Sequence, residues 1–443
     1  MSNLKIFTPS GVPVDAGAVE QMQNCMSAGD AIGGSLSADH HLGYSMPIGG
    51  SIAYPEHISP SGVGYDIGCG NKAVKLDLRY DAIKDDMGRI MDDVVRRISF
   101  GVGQPAAEKT DHQVIEDIRN ADSPYQAKLV KQAADQLGTV GAGNHYVDIF
   151  VDEYDDRGWV GVHFGSRGFG HKTATGFLNI AHGLPFDAKP VSEGLFDPPA
   201  LLHVSSGAGE EYIKAMQLAG DYAYAGRDIV VAKVVDILGN PETLEEVHNH
   251  HNFAWQETHN GETAWVVRKG ATPLFPGQLG FVGGSMGEHA AIIRGNDGWI
   301  LPEEQQAAED SLWSAPHGAG RIMSRNEAKG KSKKRWYCHT CGKTQQHGEG
   351  GWSAEQCPHC LGEKVAKKWV TESKGKIDWD GTLETLSDIG VTLRGGAADE
   401  APDAYKNLPE VLAAHRPYVE VVASLRPVGV AMAGADTVDP FRD

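Results

Sequence analysis

The chain mixes short runs that have the apolar spacing of strands with longer runs that have the apolar spacing of helices. Alternating or continuous apolar positions predict strands in IGGSIAYP, KAVKLDL, HYVDIFVDEY, WVGVHFGS, AWVVRKGAT and AAIIRG. Apolar positions at intervals of three and four predict helices in DAIKDDMGRIMDDVVRRISF, SPYQAKLVKQAADQLG, GEEYIKAMQLAGDYAYAGRDIVVAKVVDILG and LPEVLAAHRPYVEVVASL. Pattern alone therefore predicts a fold of mixed α and β structure.

The apolar pattern is interrupted near the end of the chain. From Lys329 a polar and basic segment begins, and the ordinary pattern resumes after about residue 373. We therefore predict three parts: a main part at residues 1–330, a small inserted module at residues 331–372, and a C-terminal part at residues 373–443 that completes the main domain.

The inserted module carries four cysteines in two Cys-x-x-Cys pairs. Cys338 and Cys341 are separated from Cys357 and Cys360 by 15 residues, the spacing of a tetrahedral zinc site. Because so short a segment has little core of its own, one structural zinc ion is expected to hold it together. The alternative is four unliganded cysteines. Charged and aromatic residues beside the first pair fit either a nucleic-acid contact or a solvated flap: Lys331, Lys333, Lys334, Arg335, Trp336 and Tyr337.

Composition narrows the class of protein. The 443 residues are 41% hydrophobic and 22% charged, as in folded globular domains. The net charge of −19 excludes a protein that coats nucleic acid by bulk charge, although it permits a local basic groove. The N-terminal MSNLKIFTPSGVPVDAG lacks an apolar signal-peptide core, and no run reaches the length of a membrane span. We expect a cytoplasmic protein without a membrane partner.

A second set of metal-binding residues lies outside the module. Cys69 follows Asp66 by three residues in GYDIGCGN, and a thiolate with a nearby carboxylate suits a divalent transition metal. Histidines recur beside glycine loops at His145, His163 and His171, and again in HNHHN at 248–252. Each one alone is more often an ordinary polar residue, and Cys69 alone is more often structural. Together they predict a metal centre, with Asn144, Asn252 and Glu257 as candidates to orient the imidazoles.

The stretch SAPHGAGRIM places His317 between a proline and a glycine-rich turn. It fits a plain surface loop, or a reactive imidazole whose small neighbours allow a phosphate to approach. Two common nucleotide motifs are not met: GSRGFGHKT has His171 between Gly170 and Lys172 and so fails the P-loop pattern, and no G-x-G-x-x-G lies between a clear strand and a helix. Any nucleotide must be bound by another arrangement.

These residues together resemble the RtcB family, the tRNA-splicing RNA ligases. The resemblance covers nearly the whole chain outside the inserted module, with the stretches in the family's order. They are DHHLGYSMPIGGSIAYP, GVGYDIGCG, LGTVGAGNHYVD, VHFGSRGFGH, HHNFAWQE, VVRKGA, GSMG, PHGAGRIMSR and DEAPDAYKNLPEVL. The resemblance implies an α+β fold: a single large domain of layered sheets and helices around a dinuclear metal pocket, with the zinc ribbon as a small insertion.

The resemblance also implies an activity. Such a ligase joins an RNA 3′-phosphate or 2′,3′-cyclic phosphate end to a 5′-hydroxyl end, in tRNA splicing or RNA repair, with GTP and two manganese ions. His317 would be the nucleophile that receives GMP. Cys69 would bridge both ions, Asp66 and His145 would complete one site, and His163 and His251 would complete the other.

The remaining residues carried over by motif would bind the nucleotide or phosphates. Among them Asn144 would contact the phosphates of the nucleotide, and the arginines would hold triphosphate or RNA phosphates. The set is Asn144, Asp148, Arg167, Asn252, Ser285, Gly318, Gly320, Arg321, Arg325 and Tyr405.

Three positions depart from the family pattern. Met432 stands where the family's terminal V-K-G has a lysine that contacts guanine, Asp148 replaces a glutamate, and Phe275 replaces an arginine common in many members. Guanine selectivity and RNA choice therefore stay open.

Two rival functions also stay open: a dinuclear metal-dependent phosphodiesterase or phosphohydrolase acting on nucleic-acid ends, and an RNA-end sensor without activity. The sequence leaves the oligomeric state undecided, a monomer included.

Overall fold

The computed structural model describes residues 3–191, 194–259, 261–298, 301–346, 348–435 and 437. Its strands are β1 (Asn3–Ile6), β2 (Gly33–His41), β3 (Ile48–Tyr54), β4 (His57–Ile58), β5 (Gly70–Arg79), β6 (Tyr146–Asp152), β7 (Arg157–Phe164), β8 (Leu202–His203), β9 (Thr243–His250), β10 (Asn252–His259), β11 (Glu262–Lys269), β12 (Ala271–Pro273), β13 (Leu279–Val282), β14 (Ala290–Gly295), β15 (Ser314–Pro316), β16 (Gly330–Cys338), β17 (Val365–Lys374), β18 (Thr392–Gly396) and β19 (Val419–Gly434). The helices are α1 (Ala16–Ser27), α2 (Pro60–Val63), α3 (Met87–Arg97), α4 (Gln113–Arg119), α5 (Pro124–Ala127), α6 (Val130–Gln136), α7 (Arg167–Ala181), α8 (Gly207–Ile237), α9 (Pro302–Asp310), α10 (Arg325–Lys329), α11 (Trp379–Asp388) and α12 (Leu408–Ala413).

The largest sheet has the strand order β13-β14-β19-β6-β7-β5-β9, with β18 added in parallel to β19. Its other neighbouring strands are antiparallel. A second sheet has the order β1-β2-β3-β11-β10. The mixture of sheets and helices in one large domain confirms the predicted α+β class.

One face of the largest sheet packs on helices and the other carries side chains of the candidate site, because successive side chains of a strand point to opposite sides. Along β6, Val147, Ile149 and Val151 are buried against α3 and α8. Tyr146 and Asp148 therefore point to the opposite face. Alternation along one apolar strand thus supplies both core packing and side chains for a site.

Helix α8 connects the cores of the two sheets. Towards its C-terminal end, Val230, Val231 and Val234 pack on the largest sheet. Nearer its N-terminus, Tyr212 and Met216 pack with residues of the second sheet and α7. The long helix therefore holds the two sheets in a fixed relation.

The C-terminal part differs from the prediction. LPEVLAAHRPYVEVVASL was predicted to be helical throughout, which is wrong: α12 ends at Ala413, and β19 begins at Val419. Valine-rich segments of this kind fit both patterns, and pairing with β14 and β6 selects the strand. Pro427 is accommodated in β19 at a shift of register towards β6.

The predicted helix in SPYQAKLVKQAADQLG is two short helices, α5 and α6. Gly138 follows the second helix with a φ of +76°, in the left-handed region that glycine favours.

The four-cysteine segment begins and ends with β16 and β17, which form an antiparallel two-stranded ribbon. Within the described ranges, no helix combines the length and apolar character needed to cross a membrane.

Candidate active site

A cavity of about 880 Å³ opens between the two large sheets. Loops next to strand ends form much of its wall, at residues 64–69, 142–145, 283–286 and 317–325. The structure brings together at this wall every residue predicted to bind manganese, nucleotide or phosphate, and the predicted nucleophile. Strand ends place the loops, so residues far apart in sequence meet here.

One group of potential metal ligands contains Asp66, Cys69 and His145. Nε2 of His145 lies 3.1 Å from Oδ2 of Asp66 and 3.5 Å from Sγ of Cys69. The three side chains come from the loop before β5 and the loop before β6. The carboxylate of Asp66 packs against Gly165, where an added Cβ would lie 2.3 Å from Oδ1.

A second group shares the same thiol. Sγ of Cys69 lies 3.3 Å from Nε2 of His163, and this nitrogen lies 3.2 Å from Nε2 of His251. Burial lowers the pKa values of both histidines well below the usual range, which keeps the imidazoles neutral. Sγ of Cys69 is thus within 3.5 Å of the Nε2 atoms of both His145 and His163.

The donor set fits divalent transition ions. Sulfur, imidazole nitrogen and carboxylate oxygen converge, and this combination suits metals such as manganese or zinc. Nδ1 of His145 points away from the thiol and lies 3.0 Å from the carbonyl oxygen of Val140, so Nε2 is the ring nitrogen that faces Cys69. Nη1 of Arg167 also lies 3.0 Å from Nδ1 of His145, which places a positive charge at the edge of the cluster.

The residues expected to orient the imidazoles are placed differently. Asn252 accepts a hydrogen bond from the Gly270 N–H at 2.7 Å and fixes the loop rather than an imidazole. Glu257 forms an ion pair with buried Arg268 and a hydrogen bond with His259. Glu257 therefore stabilises the second sheet, not the metal cluster.

Sequence reasoning missed Arg227, a fully buried residue of α8. Its guanidinium donates to the carbonyl oxygens of Gly68, at 2.9 Å, and Phe164, at 2.6 Å. These residues directly adjoin Cys69 and His163 in sequence, so Arg227 fixes the backbone at both ligands. Burial lowers the pKa of Arg227 to about 10, and its charge offsets negative charge in the cluster. An arginine on the apolar face of a predicted helix was the available signal.

His317 is held by a second missed residue, Asp39 of β2. Nδ1 of His317 lies 2.7 Å from Oδ2 of the fully buried Asp39, and the backbone N–H of His317 donates to the same oxygen at 3.1 Å. Burial opposes ionisation of Asp39, but the hydrogen bond with His317 and the charge of Lys406 keep its pKa below the ordinary value. Nδ1 therefore carries the proton, and the Nε2 lone pair is available.

The ring of His317 lies beside the metal-ligand groups. Its centroid is 4.8 Å from that of His251 and 6.5 Å from that of His163. A ligand held between these rings would contact both the cluster and His317. The plain-loop interpretation of SAPHGAGRIM does not account for this arrangement.

The structure explains why residue 320 is a glycine, which the sequence did not. Its φ is +76°, and an added Cβ would lie 2.1 Å from the carbonyl oxygen of Asp39. Gly320 thus lets the His317 loop pack on β2. Gly318 lines the cavity, and an added Cβ there would be in ordinary van der Waals contact with the carbonyl oxygen of Gly283, at 3.5 Å.

Two of the three predicted phosphate-binding arginines, Arg321 and Arg325, share an acidic partner. Arg325 forms ion pairs with Glu400 and, at 3.5 Å, with Asp399. Arg321 lies 3.7 Å from Glu400 and donates from Nη1 to the Tyr405 hydroxyl at 3.0 Å. Nη2 of Arg321 is buried and finds no hydrogen-bond partner among the described residues, so it can receive an anionic ligand.

Asp148 and Met432 lie together at another wall of the cavity, because β6 and β19 are paired there. Oδ1 of Asp148 is buried without a hydrogen-bond partner in the described part of the chain, and so is the hydroxyl of Tyr146. Burial raises the pKa of Asp148 well above its ordinary value. Unsatisfied polar atoms beside an apolar thioether suit the edge of a bound heterocyclic base.

Three further positions singled out in the sequence can be placed. Ser285 lines the cavity and donates to Glu288 at 3.0 Å. Asn144 lines the cavity directly before His145. Phe275 stacks on Trp313 with a centroid distance of 6.0 Å.

The four module cysteines form a separate cluster. Their ligand atoms all lie within 4.8 Å of one another. Sγ of Cys338 is 3.6 Å from that of Cys360, and Sγ of Cys341 is 3.8 Å from that of Cys357. A disulfide needs about 2.05 Å, whereas a tetrahedron with Zn–S bonds of about 2.3 Å has edges of about 3.8 Å. The geometry fits one zinc ion.

Replacing Cys338 and Cys341 by serine is expected to remove one zinc ion per chain and to unfold the ribbon locally. The ribbon has few apolar contacts to replace the metal. Elemental analysis of the purified chain, with limited proteolysis, measures both effects. Transition metal bound at the Cys69 cluster should be unchanged, and its loss together with zinc would contradict two independent sites.

Comparisons with known proteins relate the chain to one family. The family model described as "tRNA-splicing ligase RtcB" matches residues 21–129 and 116–351. The RNA-splicing ligase RtcB of Escherichia coli K12 is 30% identical over 96% of each chain. The tRNA-splicing ligase RtcB of Pyrobaculum aerophilum is 30% identical, over 88% of this chain and 86% of its own. That of Archaeoglobus fulgidus is 27% identical, over 94% and 90%.

Proposed function

Because the chain belongs to the RtcB family, we propose that it is an RNA ligase that joins a 3′-phosphate or 2′,3′-cyclic phosphate end to a 5′-hydroxyl end. GTP is the proposed co-substrate, two manganese ions are the proposed cofactors, and a GMP adduct of His317 is the proposed intermediate. The names of the Escherichia coli and Pyrobaculum aerophilum relatives support RNA splicing as the setting.

One observation carries the proposal: the His317–Asp39 pair beside the Cys69 cluster. A histidine acts as a nucleophile through an unprotonated nitrogen, and the carboxylate fixes the tautomer that leaves Nε2 unprotonated. The same ligand groups would serve a metal-dependent phosphodiesterase, but that reaction has no need of an oriented nucleophilic imidazole. The pair therefore favours the ligase.

The residues present suggest the following first step. Nε2 of His317 attacks the α-phosphorus of GTP, the N–P bond forms, and the bond to the β-phosphate oxygen breaks with release of pyrophosphate. The ring becomes positively charged, and the Asp39 carboxylate stabilises that charge. Manganese bound by the two groups that share Cys69 would neutralise charge on the phosphate oxygens. Arg321 would bind a phosphate through its unpartnered Nη2.

The later steps use the RNA ends. A 2′,3′-cyclic end must first add water, which breaks the bond from phosphorus to the 2′-oxygen and leaves a 3′-phosphate. An oxygen of the RNA 3′-phosphate then attacks the GMP phosphorus, and the bond to His317 breaks. The RNA 5′-hydroxyl then attacks the activated 3′-phosphorus, its proton is lost to solvent, and GMP leaves. The ring of His317 returns to its hydrogen bond with Asp39 and can react again.

Incubation of the chain with manganese and α-labelled GTP, followed by denaturing electrophoresis, tests this function. We expect label on the protein that is released by acid, because a phosphoramidate bond hydrolyses in acid. Addition of RNA with a 3′-phosphate and a 5′-hydroxyl should discharge the label and give joined RNA. A chain that binds two manganese ions and cleaves RNA ends without ever becoming labelled would be a phosphodiesterase instead.

Nucleotide selectivity is expected to be loose. A lysine ammonium can donate to O6 of guanine, whereas the thioether of Met432 cannot donate. The lost charge-assisted hydrogen bond corresponds to about 10- to 150-fold in discrimination between GTP and ATP. We therefore expect measurable labelling by ATP at millimolar concentration and a stronger preference for GTP after Met432→Lys.

Paired labelling assays with GTP and ATP on the wild type and Met432→Lys measure the preference directly. Met432→Leu is the matched control, since it changes shape as little as possible and adds no donor. If the wild type already excludes ATP and Met432→Lys changes nothing, another group recognises the base.

A further inference from the structure

The ribbon formed by β16 and β17 concentrates positive charge in an acidic chain. Its two strands carry seven basic residues and one acidic residue, Glu372, whereas the whole chain has a net charge of −19. The basic residues are Lys331, Lys333, Lys334, Arg335, Lys367, Lys368 and Lys374. Such local concentration attracts a polyanion.

The register of the ribbon separates these residues onto two faces, because side chains alternate along each strand and paired residues share a face. Arg335 pairs with Lys368, and the glutamate face is defined by Lys333, Arg335, Tyr337, Lys368 and Glu372. Glu372 forms ion pairs there with Arg335 and, at 3.7 Å, with Lys333. The basic charge on this face is partly neutralised.

The opposite face contains Lys334, Trp336 and Lys367, which we call the lysine–tryptophan face. Trp336 pairs with Lys367, whose Nζ lies 4.8 Å from the ring centroid. Both lysines are exposed, and Trp336 is partly exposed. The described side chains of this face include no carboxylate. Cations beside a partly exposed ring suit a phosphate backbone with a stacked base.

The ribbon begins at the rim of the candidate active site. Arg325 and Glu327 of α10 line the cavity, and β16 follows α10 at Gly330. The base is closed by a hydrogen bond from the Lys376 N–H to the Glu327 carbonyl oxygen, at 2.9 Å. Nine residues of strand span about 30 Å. The ribbon is therefore attached at the rim of the cavity and has about the length of several nucleotides.

We propose that the lysine–tryptophan face of the ribbon binds single-stranded RNA next to the end that reacts in the cavity. Lys334 and Lys367 contact backbone phosphates, and a base stacks on Trp336. The zinc cluster at the far end of the ribbon holds the two strands in register. The inference rests on the proposed function, because it takes RNA as the substrate. RNA is favoured over an acidic protein because this face presents an aromatic ring beside its cations, with Nζ of Lys367 at 4.8 Å from the centroid of Trp336.

Two double variants, each of which removes two lysines, test the choice of face. Lys334→Gln/Lys367→Gln alters the lysine–tryptophan face, and Lys333→Gln/Lys368→Gln is the matched control on the glutamate face. The probe is a fluorescein-labelled single-stranded RNA of about 20 nucleotides with a 3′-phosphate, titrated with the zinc-loaded full chain at several salt concentrations. We expect the first variant to raise Kd about tenfold and to reduce the salt slope by about 1.4. The control should change Kd by less than about twofold.

Trp336→Ala is expected to raise Kd at least about fivefold with little change in the salt slope, since stacking is not electrostatic. Equal weakening by both double variants would overturn the assignment to one face. Unchanged binding in the first variant would overturn the RNA site, and stronger displacement of the probe by polyglutamate than by unlabelled RNA at equal negative charge would indicate an acidic protein partner.

Binding and chemistry are measured separately in this design. RNA binding is read without GTP, and His317 labelling is read without RNA. All variants should keep their zinc and label normally, because the lysine–tryptophan face lies outside the cavity wall. If no chain labels but RNA still binds through this face, the ligase proposal fails and the RNA site stands.

Discussion

A His317→Ala chain is expected to lose all labelling by α-labelled GTP and all joining of RNA ends, while its bound manganese is unchanged. The reason is covalent: no nitrogen remains to accept the nucleotide phosphorus. The five proposed metal ligands, Asp66, Cys69, His145, His163 and His251, are untouched by this change. Electrophoresis after labelling, with elemental analysis of the same sample, gives both readings. Label that persists in this chain would place the nucleophile elsewhere.

Asp39→Asn is expected to slow labelling of His317 rather than to abolish it. The amide can donate to Nδ1 of His317 and thereby favour the tautomer with the proton on Nε2, which cannot attack phosphorus. Loss of a buried carboxylate with this role lowers a rate by about 10⁴-fold in serine proteases, and we expect labelling to slow by about 10³- to 10⁴-fold. Thermal unfolding of Asp39→Asn controls for loss of the fold. An unchanged labelling rate would show that Asp39 has only a structural role.

The second large effect is expected at Cys69. Its sulfur lies between the two ligand groups, so Cys69→Ala should abolish high-affinity binding of both manganese ions and therefore all activity. His145→Ala and His251→Ala should each weaken mainly one ion. Manganese titration followed by elemental analysis distinguishes these outcomes. Two tightly bound ions in Cys69→Ala would refute the bridge.

A further variant at Cys69 distinguishes loss of the proposed bridging thiolate from loss of side-chain packing. Cys69→Ser keeps the size of the side chain but replaces the thiolate with a poorly ionised hydroxyl, and it should bind manganese almost as poorly as alanine. Arg227→Lys tests whether the guanidinium of Arg227 is needed to hold the backbone beside the proposed metal ligands Cys69 and His163, and manganese titration again measures the effect. One ammonium cannot donate to the Gly68 and Phe164 carbonyl oxygens and to His248 with the fork of a guanidinium.

The sequence predicted those features that depend on residues close together along the chain. Alternating apolar residues predicted β6 and β7, and the spacing of the four cysteines predicted the cluster that the ribbon contains. Asp66 and Cys69 are three residues apart, so one loop brings them to the cavity together. In each case the deciding interactions lie within a few residues.

The C-terminal strand shows where this reasoning ends. The apolar residues at the start of β19 also fit helical spacing, and pairing with β14 and β6 makes the strand the stable conformation. Backbone pairing with distant strands contributes free energy that no local window contains.

The same holds for the site. The sequence by itself determined which side chains could ligate metal, attack phosphorus or hold zinc, because those capacities belong to the residue types and their spacing. Only the tertiary structure decided that Asp39 fixes His317 across 278 residues of chain, and that Arg227 lies beneath the metal ligands. Such partners are selected by burial, since a polar group removed from water must find its partner wherever packing brings one.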